Sequence, residues 1–80
     1  MGKREKLLEK LKNSPNNVTF DQVEKVLLNE GFALERISSS HHVFKKGEVT
    51  FVIPVHRNKV KAVYVKRVVE IIEDLNDENS

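Results

Sequence analysis

Three serines lead into two adjacent histidines and a β-type pair in the run Ser38-Ser39-Ser40-His41-His42-Val43-Phe44. Imidazole changes protonation near neutral pH, so a histidine on an open surface is a candidate general acid or base. The segment His41–Lys46 reads as a strand, and neighbouring strand residues point to opposite faces. If Phe44 faces the core, His42 shares its side, while His41 and Val43 face outward. His41, preceded by Ser40, is thus the candidate reactive group. His42 is expected to be structural, packed inward with a backbone hydrogen-bond partner. Two other chemistries are set aside. Ser40 has no identifiable carboxylate to orient a base, so a nucleophilic triad is not expected. A zinc site from His41, His42 and His56 is not expected either. Adjacent strand histidines diverge, and no cysteine or well-spaced carboxylate completes four ligands. No cofactor is expected.

The scaffold behind these residues is small. Eighty residues make one domain, which buries only about 60% of its unfolded surface. The chain has no cysteine, so disulfide and thiolate chemistry are excluded and a reducing compartment is compatible. No apolar run approaches the roughly 20 residues of a membrane span, and no signal-peptide pattern opens the chain. A soluble, cytoplasmic protein is expected. The net charge of +2 conceals an asymmetry. Lys45, Lys46, Arg57, Lys59, Lys61, Lys66 and Arg67 occupy residues 41–67 beside a single acid, Glu48. The segment from residue 68 onward carries acids and no Lys or Arg. A basic middle suits a polyanion, with nucleic acid the leading candidate, although such a patch alone is as often a merely solvated surface.

Taken in order, residues 1–17 form an accessory amphipathic helix with little to bury, docked or frayed, and a linker broken at Pro15. The main domain spans 18–75. Thr19 and Gln22 have capping-box spacing, and Val18 with Val23 can staple the helix start. Phe20, Val23, Val26 and Leu27 share one face, and Gly31 is placed to end a helix over about 20–30. Phe32–Ser38 reads as a first strand in which Ile37 is out of phase with Phe32 and Leu34, implying a twist or bulge near Arg36. His41–Lys46 is the second strand. Val49–Val55 is the third, with Phe51 and Ile53 inward, Thr50 and Val52 outward, and Pro54 ending the ladder or lying on an edge. His56–Lys61 is a basic loop. Val65, Val68, Val69, Ile72 and Leu75 then mark a helix over about 63–75, whose C-terminal acids oppose the dipole and should fray. Residues 76–80 read as a polar tail. The expected architecture is α+β: helix, three antiparallel strands, helix, with both helices on one face of the sheet and the other face wet.

These residues also resemble a known family. Gly31-Phe32 after a helix, an arginine, a small-residue turn and Ser40-His41-His42-Val43-Phe44 are followed by Ile53-Pro54-Val55-His56, a Lys-containing basic loop and a helix. In this order and spacing the chain resembles the HicA toxins of bacterial toxin–antitoxin systems over about residues 18–75. The resemblance implies a double-stranded-RNA-binding-domain-like fold and an mRNA-cleaving activity, with His41 as the catalytic histidine. Pro54, His56 and Lys59 match the family's second motif. The chain departs from the family pattern at Ser39, where glycine is usual, and at Val63-Tyr64, where the second helix commonly opens Gly-Thr. The implied partners are mRNA and a cognate HicB-like antitoxin, with a monomer when free, a hetero-oligomer when neutralised, and no membrane.

RNA carries its own nucleophile, the 2′-hydroxyl. On this reading His41 acts as general base, Lys59 stabilises the developing phosphate charge, and His56 is an acid or a phosphate contact. Ser40, Lys45, Lys46, Arg57 and Lys61 complete the expected RNA contacts. No metal is required, and the products are a 2′,3′-cyclic phosphate and a 5′-hydroxyl. Two competing functions use the same residues: a non-catalytic RNA-binding module, and a protein-docking domain whose open face carries Val43, Thr50 and Val52.

Overall fold

The computed structural model describes residues 3–78. A helix α1 (Lys3–Asn13) and a 3-10 turn (Pro15–Asn17) precede α2 (Phe20–Asn29). Three strands follow, β1 (Ala33–Ser38), β2 (His41–Lys46) and β3 (Val49–Pro54), and then α3 (Ala62–Glu78). The expected α-β-β-β-α order and the antiparallel sheet are both present, in a double-stranded-RNA-binding-domain-like arrangement.

Local chemistry accounts for the limits of α2. The Thr19 hydroxyl accepts from the Gln22 amide at 3.4 Å, and the Gln22 side chain accepts from the Thr19 amide at 3.0 Å. Both halves of the capping box are therefore made. At the other end Gly31 takes φ +97. The Phe32 amide donates to the Leu27 carbonyl (3.0 Å) and the Gly31 amide to the Leu28 carbonyl (3.1 Å). That pair of bonds is a Schellman closure, which requires the left-handed backbone that glycine supplies without strain.

The strands pair in sequence order, β1-β2-β3. Phe44 lies opposite Leu34 on one side and Phe51 on the other. The register slips between Leu34 and Arg36, so Glu35 is the extra residue of the bulge expected near Arg36. The slip brings Ile37 into line with His42, but on an edge strand that the helices do not cover, and Ile37 stays 57% exposed. Phe44 and Ile53 are fully buried against Val23, Leu27, Val65, Val68 and Ile72, placing α2 and α3 on one face. Thr50 and Val52 remain exposed on the other.

Two expectations are corrected. The N-terminal helix was expected to have little to bury, yet Leu11 is fully buried in the common core, and α1 packs against both α2 and α3. Its leucine pattern alone does not show that a groove between two later helices is waiting for it. The last helix does not fray near residue 75 but continues to Glu78. The unfavourable dipole term is a few tenths to one kcal/mol, and it is outweighed by packing on α1, where Lys12 also forms an ion pair with Glu73. Residues 79 and 80 of the expected tail lie outside the described residues. No helix among the described residues is long and apolar enough to cross a membrane.

Leu11 therefore belongs to the stability of the whole domain. Leu11→Ala should cost about 2–5 kcal/mol, lowering Tm by at least about 8 °C for a chain of this size. Leu28→Ala, at a position 48% exposed on α2, should cost well under about 1 kcal/mol. Thermal melts of the two variants give the comparison directly.

Candidate functional site

The position of His41 follows from what its neighbour does. The His42 ring packs on Phe20 with centroids 4.4 Å apart, and Phe44 lies 6.1 Å from the same ring. His42 Nδ1 stands 3.4 Å from the Ser40 carbonyl, which accepts from it in the Nδ1–H tautomer. His42 is half-buried on the helix side, as the alternation required, and His41 is exposed on the other. Among the described residues the His41 imidazole has no hydrogen-bond or ion-pair partner. Its flanks on the open face are Ser38 in β1 and Pro54 in β3. Arg36, Val43 and Val52 form the next row.

The turn leading into His41 is strained. Ser39 takes φ +56, and it is the first of the two residues joining β1 to β2. Positive φ at that position alone is the type II′ pattern, which favours glycine. Ser39 adopts this backbone at a cost of roughly 1–2 kcal/mol. The turn is held to the end of β3 by the Val55 amide, which donates to the Ser40 carbonyl at 2.7 Å.

The basic loop is more ordered than its composition implied. His56 and Lys59 exchange backbone hydrogen bonds of 3.1 and 2.9 Å around Arg57 (φ +52) and Asn58 (φ +62), forming a type I′ hairpin turn. The Asn58 carbonyl accepts from the Phe20 amide at 2.9 Å, and Lys59 bridges to Thr19. The start of α2 thus fixes the loop, and the loop satisfies one of the helix's unpaired amides. Beyond it, the Lys61 carbonyl accepts from the Tyr64 and Val65 amides as α3 begins.

The structure brings some expected contacts together and separates others. Pro54, His56, Lys59 and Lys61 line one groove of about 690 Å³ beside the first residue of α3, Ala62. Pro54 is also the cross-strand partner of His41, so the groove begins next to the histidine. Arg57 is exposed at the hairpin tip. Lys45 shares the open face with His41, but four residues along β2, roughly 13 Å away. Lys46 is on the helix side, where its ammonium donates to the Glu30 carbonyl at 2.6 Å. It closes the end of α2 and is remote from His41. Sequence reasoning missed Asn16, Asn17 and Tyr64, which line the same groove. The asparagines read as linker after Pro15, and only the folded chain shows the linker passing the hairpin. Among the described residues, no three of His, Cys, Asp and Glu come together as metal ligands.

The profile of the family described as "HicA toxin of bacterial toxin-antitoxin" matches residues 20–75 of this chain, well over half of it. No curated protein and no solved structure matches the chain.

The two histidines should separate in a stability experiment. His42→Ala removes a ring from the Phe20–Phe44 cluster together with a partly buried hydrogen bond, and should cost about 1–3 kcal/mol. His41→Ala should leave the denaturation midpoint within about 0.5 kcal/mol of the parent. A destabilised His41→Ala beside an unaffected His42→Ala would mean that the inward and outward assignments are reversed.

Proposed function

Since the chain belongs to the HicA toxin family, the toxin component of toxin–antitoxin pairs, we propose that it is an endoribonuclease that cleaves mRNA with His41 as general base and without a metal. The observation that carries this reading is an unpartnered imidazole on the wet face, one strand away from a groove lined by Lys59 and Lys61. His41 removes the proton of a 2′-hydroxyl, whose oxygen attacks the adjacent phosphorus. The bond to the 5′-oxygen breaks, and that oxygen takes up a proton from His56 or water. Lys59, Lys61 and the unpaired amides opening α3 offset the charge that builds on the phosphate oxygens. The products are a 2′,3′-cyclic phosphate and a 5′-hydroxyl. The reaction is expected in the cytoplasm, where mRNA is found.

The family implies a cognate antitoxin. We take it to be HicB-like, to bind the toxin as a hetero-oligomer and to cover this face, with the free toxin monomeric. Complementary chemistry would place acidic or apolar groups against Lys59, Lys61 and Val52.

His41→Ala should abolish RNA cleavage and growth inhibition while the variant still binds RNA and melts with the parent. Cleavage at the parental rate would exclude His41 as the base. A variant that still arrests growth would point instead to a binding module. The parent should remain active in excess EDTA and leave cyclic-phosphate ends, since the 2′-oxygen is the nucleophile. A 3′-hydroxyl terminus would mean that water attacks.

The groove lysines give a separate test. Neutralising Lys59 and Lys61 together should weaken RNA binding and flatten its salt dependence by a log–log slope of roughly 0.7 per lost phosphate contact. Binding titrations at two salt concentrations measure this. An unchanged slope would place the RNA elsewhere, for instance along Lys45.

A further inference from the structure

Resting on that reading, we propose that the groove between the Pro15–Asn17 turn and the start of α3 is a pocket for one unstacked nucleobase beside the scissile phosphate, and that Asn16 and Asn17 read its edge. A phosphate site needs only cations and free amides. This groove has more: Val18, Pro54 and Val60 give it apolar walls, and Tyr64 adds an aromatic ring. At about 690 Å³ it lies within the range of small-ligand pockets. A nucleobase is the part of RNA that matches such walls, since it stacks on aromatic rings and presents donors and acceptors only at its edge.

The polar groups fit that occupant. Asn16 and Asn17 each offer an adjacent donor and acceptor, the pairing by which amide side chains recognise base edges. Both are exposed, in a turn fixed by Pro15, by the Asn17 amide donating to the Ser14 carbonyl at 3.0 Å, and by buried Val18. Their backbone is therefore set before RNA arrives, which limits the ordering cost of binding. Among the described residues no acidic side chain lines the groove, while Lys59 and Lys61 do. That charge favours a nucleotide over a basic peptide. Because Pro54 both pairs with His41 and lines the groove, a strand with its scissile phosphate over His41 passes its neighbouring nucleotide into the pocket. Asn16 and Asn17 precede the family match, which begins at residue 20. The base preference would then be a property of this chain's own N-terminal segment.

The test uses the full-length His41→Ala protein, so that RNA is bound without being cut. Fluorescently labelled single-stranded hexamers of adenylate, cytidylate and uridylate are titrated by anisotropy. The tightest should bind at least about 10-fold better than the weakest, and Asn16→Ala/Asn17→Ala should shrink that ratio to within about 3-fold. The isosteric pair Asn16→Asp/Asn17→Asp should shrink it as well, which keeps the test valid if the alanine pair is unstable. Tyr64→Ala should weaken all three hexamers, and Tyr64→Phe should restore them. A parental ratio near one, or a ratio that both asparagine pairs leave unchanged, overturns the nucleobase pocket while leaving RNA cleavage at His41 intact. Asparagine variants that lose the antitoxin but keep the RNA ratio would assign the groove to a protein, and overturn it too. A protein that binds none of the hexamers and a parent that cuts no RNA would overturn the pocket together with the reading beneath it.

Discussion

The Phe20 ring lies against both His42 and Phe44, and this three-ring contact fixes which face of β2 is dry. A strand offers its residues to two faces in strict alternation, so a slip of one position would exchange every assignment. In that slipped register His41 would be buried and His42 presented to solvent. The ring cluster opposes it, because the slip would take Phe44, now fully buried, and His42 off Phe20. The exposure of His41 is thus a consequence of packing on the opposite face, and the site depends on α2 as much as on the strand that carries it.

Backbone strain is concentrated around the same end of the sheet. Among the described residues, Ser39, Arg57 and Asn58 are the non-glycine residues with positive φ. Ser39 stands two positions before His41, and the other two form the tip of the hairpin whose stem residues line the groove. Such conformations persist where the surroundings over-determine them. Here the surroundings are identifiable: the Val55–Ser40 bond clamps one turn, and the Phe20–Asn58 bond with the Thr19–Lys59 bridge clamps the other. The two turns are consequently rigid supports for the side chains between them.

The parts legible in the sequence were those set by local rules. Capping at Thr19, the glycine stop at Gly31, the alternation through Val49–Ile53 and the bulge before Arg36 each follow from a few adjacent residues, and each is present. The inward and outward histidines were legible for the same reason. What was not legible depends on segments distant in the chain. The burial of Leu11 needs α3 to complete its groove, and the turn at Arg57-Asn58 needs the start of α2 to receive its carbonyl. Lys46 looked like one more cation of a basic patch until the end of α2 offered it a carbonyl. The asparagines after Pro15 gained a context only when the linker was seen to pass along the hairpin. Charge counted along the chain could not sort Lys59 and Lys61, which share a groove, from Lys45 and Lys46, which lie on opposite faces of β2.

Lys46 has one further effect. Its side chain crosses the end of α2, and a methyl group built on Gly31 would approach its Cε to 3.3 Å. At the far end of the same helix, the Phe20 amide is held by Asn58 and the Gln22 amide by Thr19. Isolated helices lose their terminal turns first, and their end amides exchange with solvent long before the middle ones do. In α2 both ends are tied to other elements, one to the start of the β2–β3 connection and one to the hairpin that follows β3. Its terminal amides can open only when those elements release them, so hydrogen–deuterium exchange along α2 should lack the graded fraying of a free helix end and report instead on the opening of the sheet.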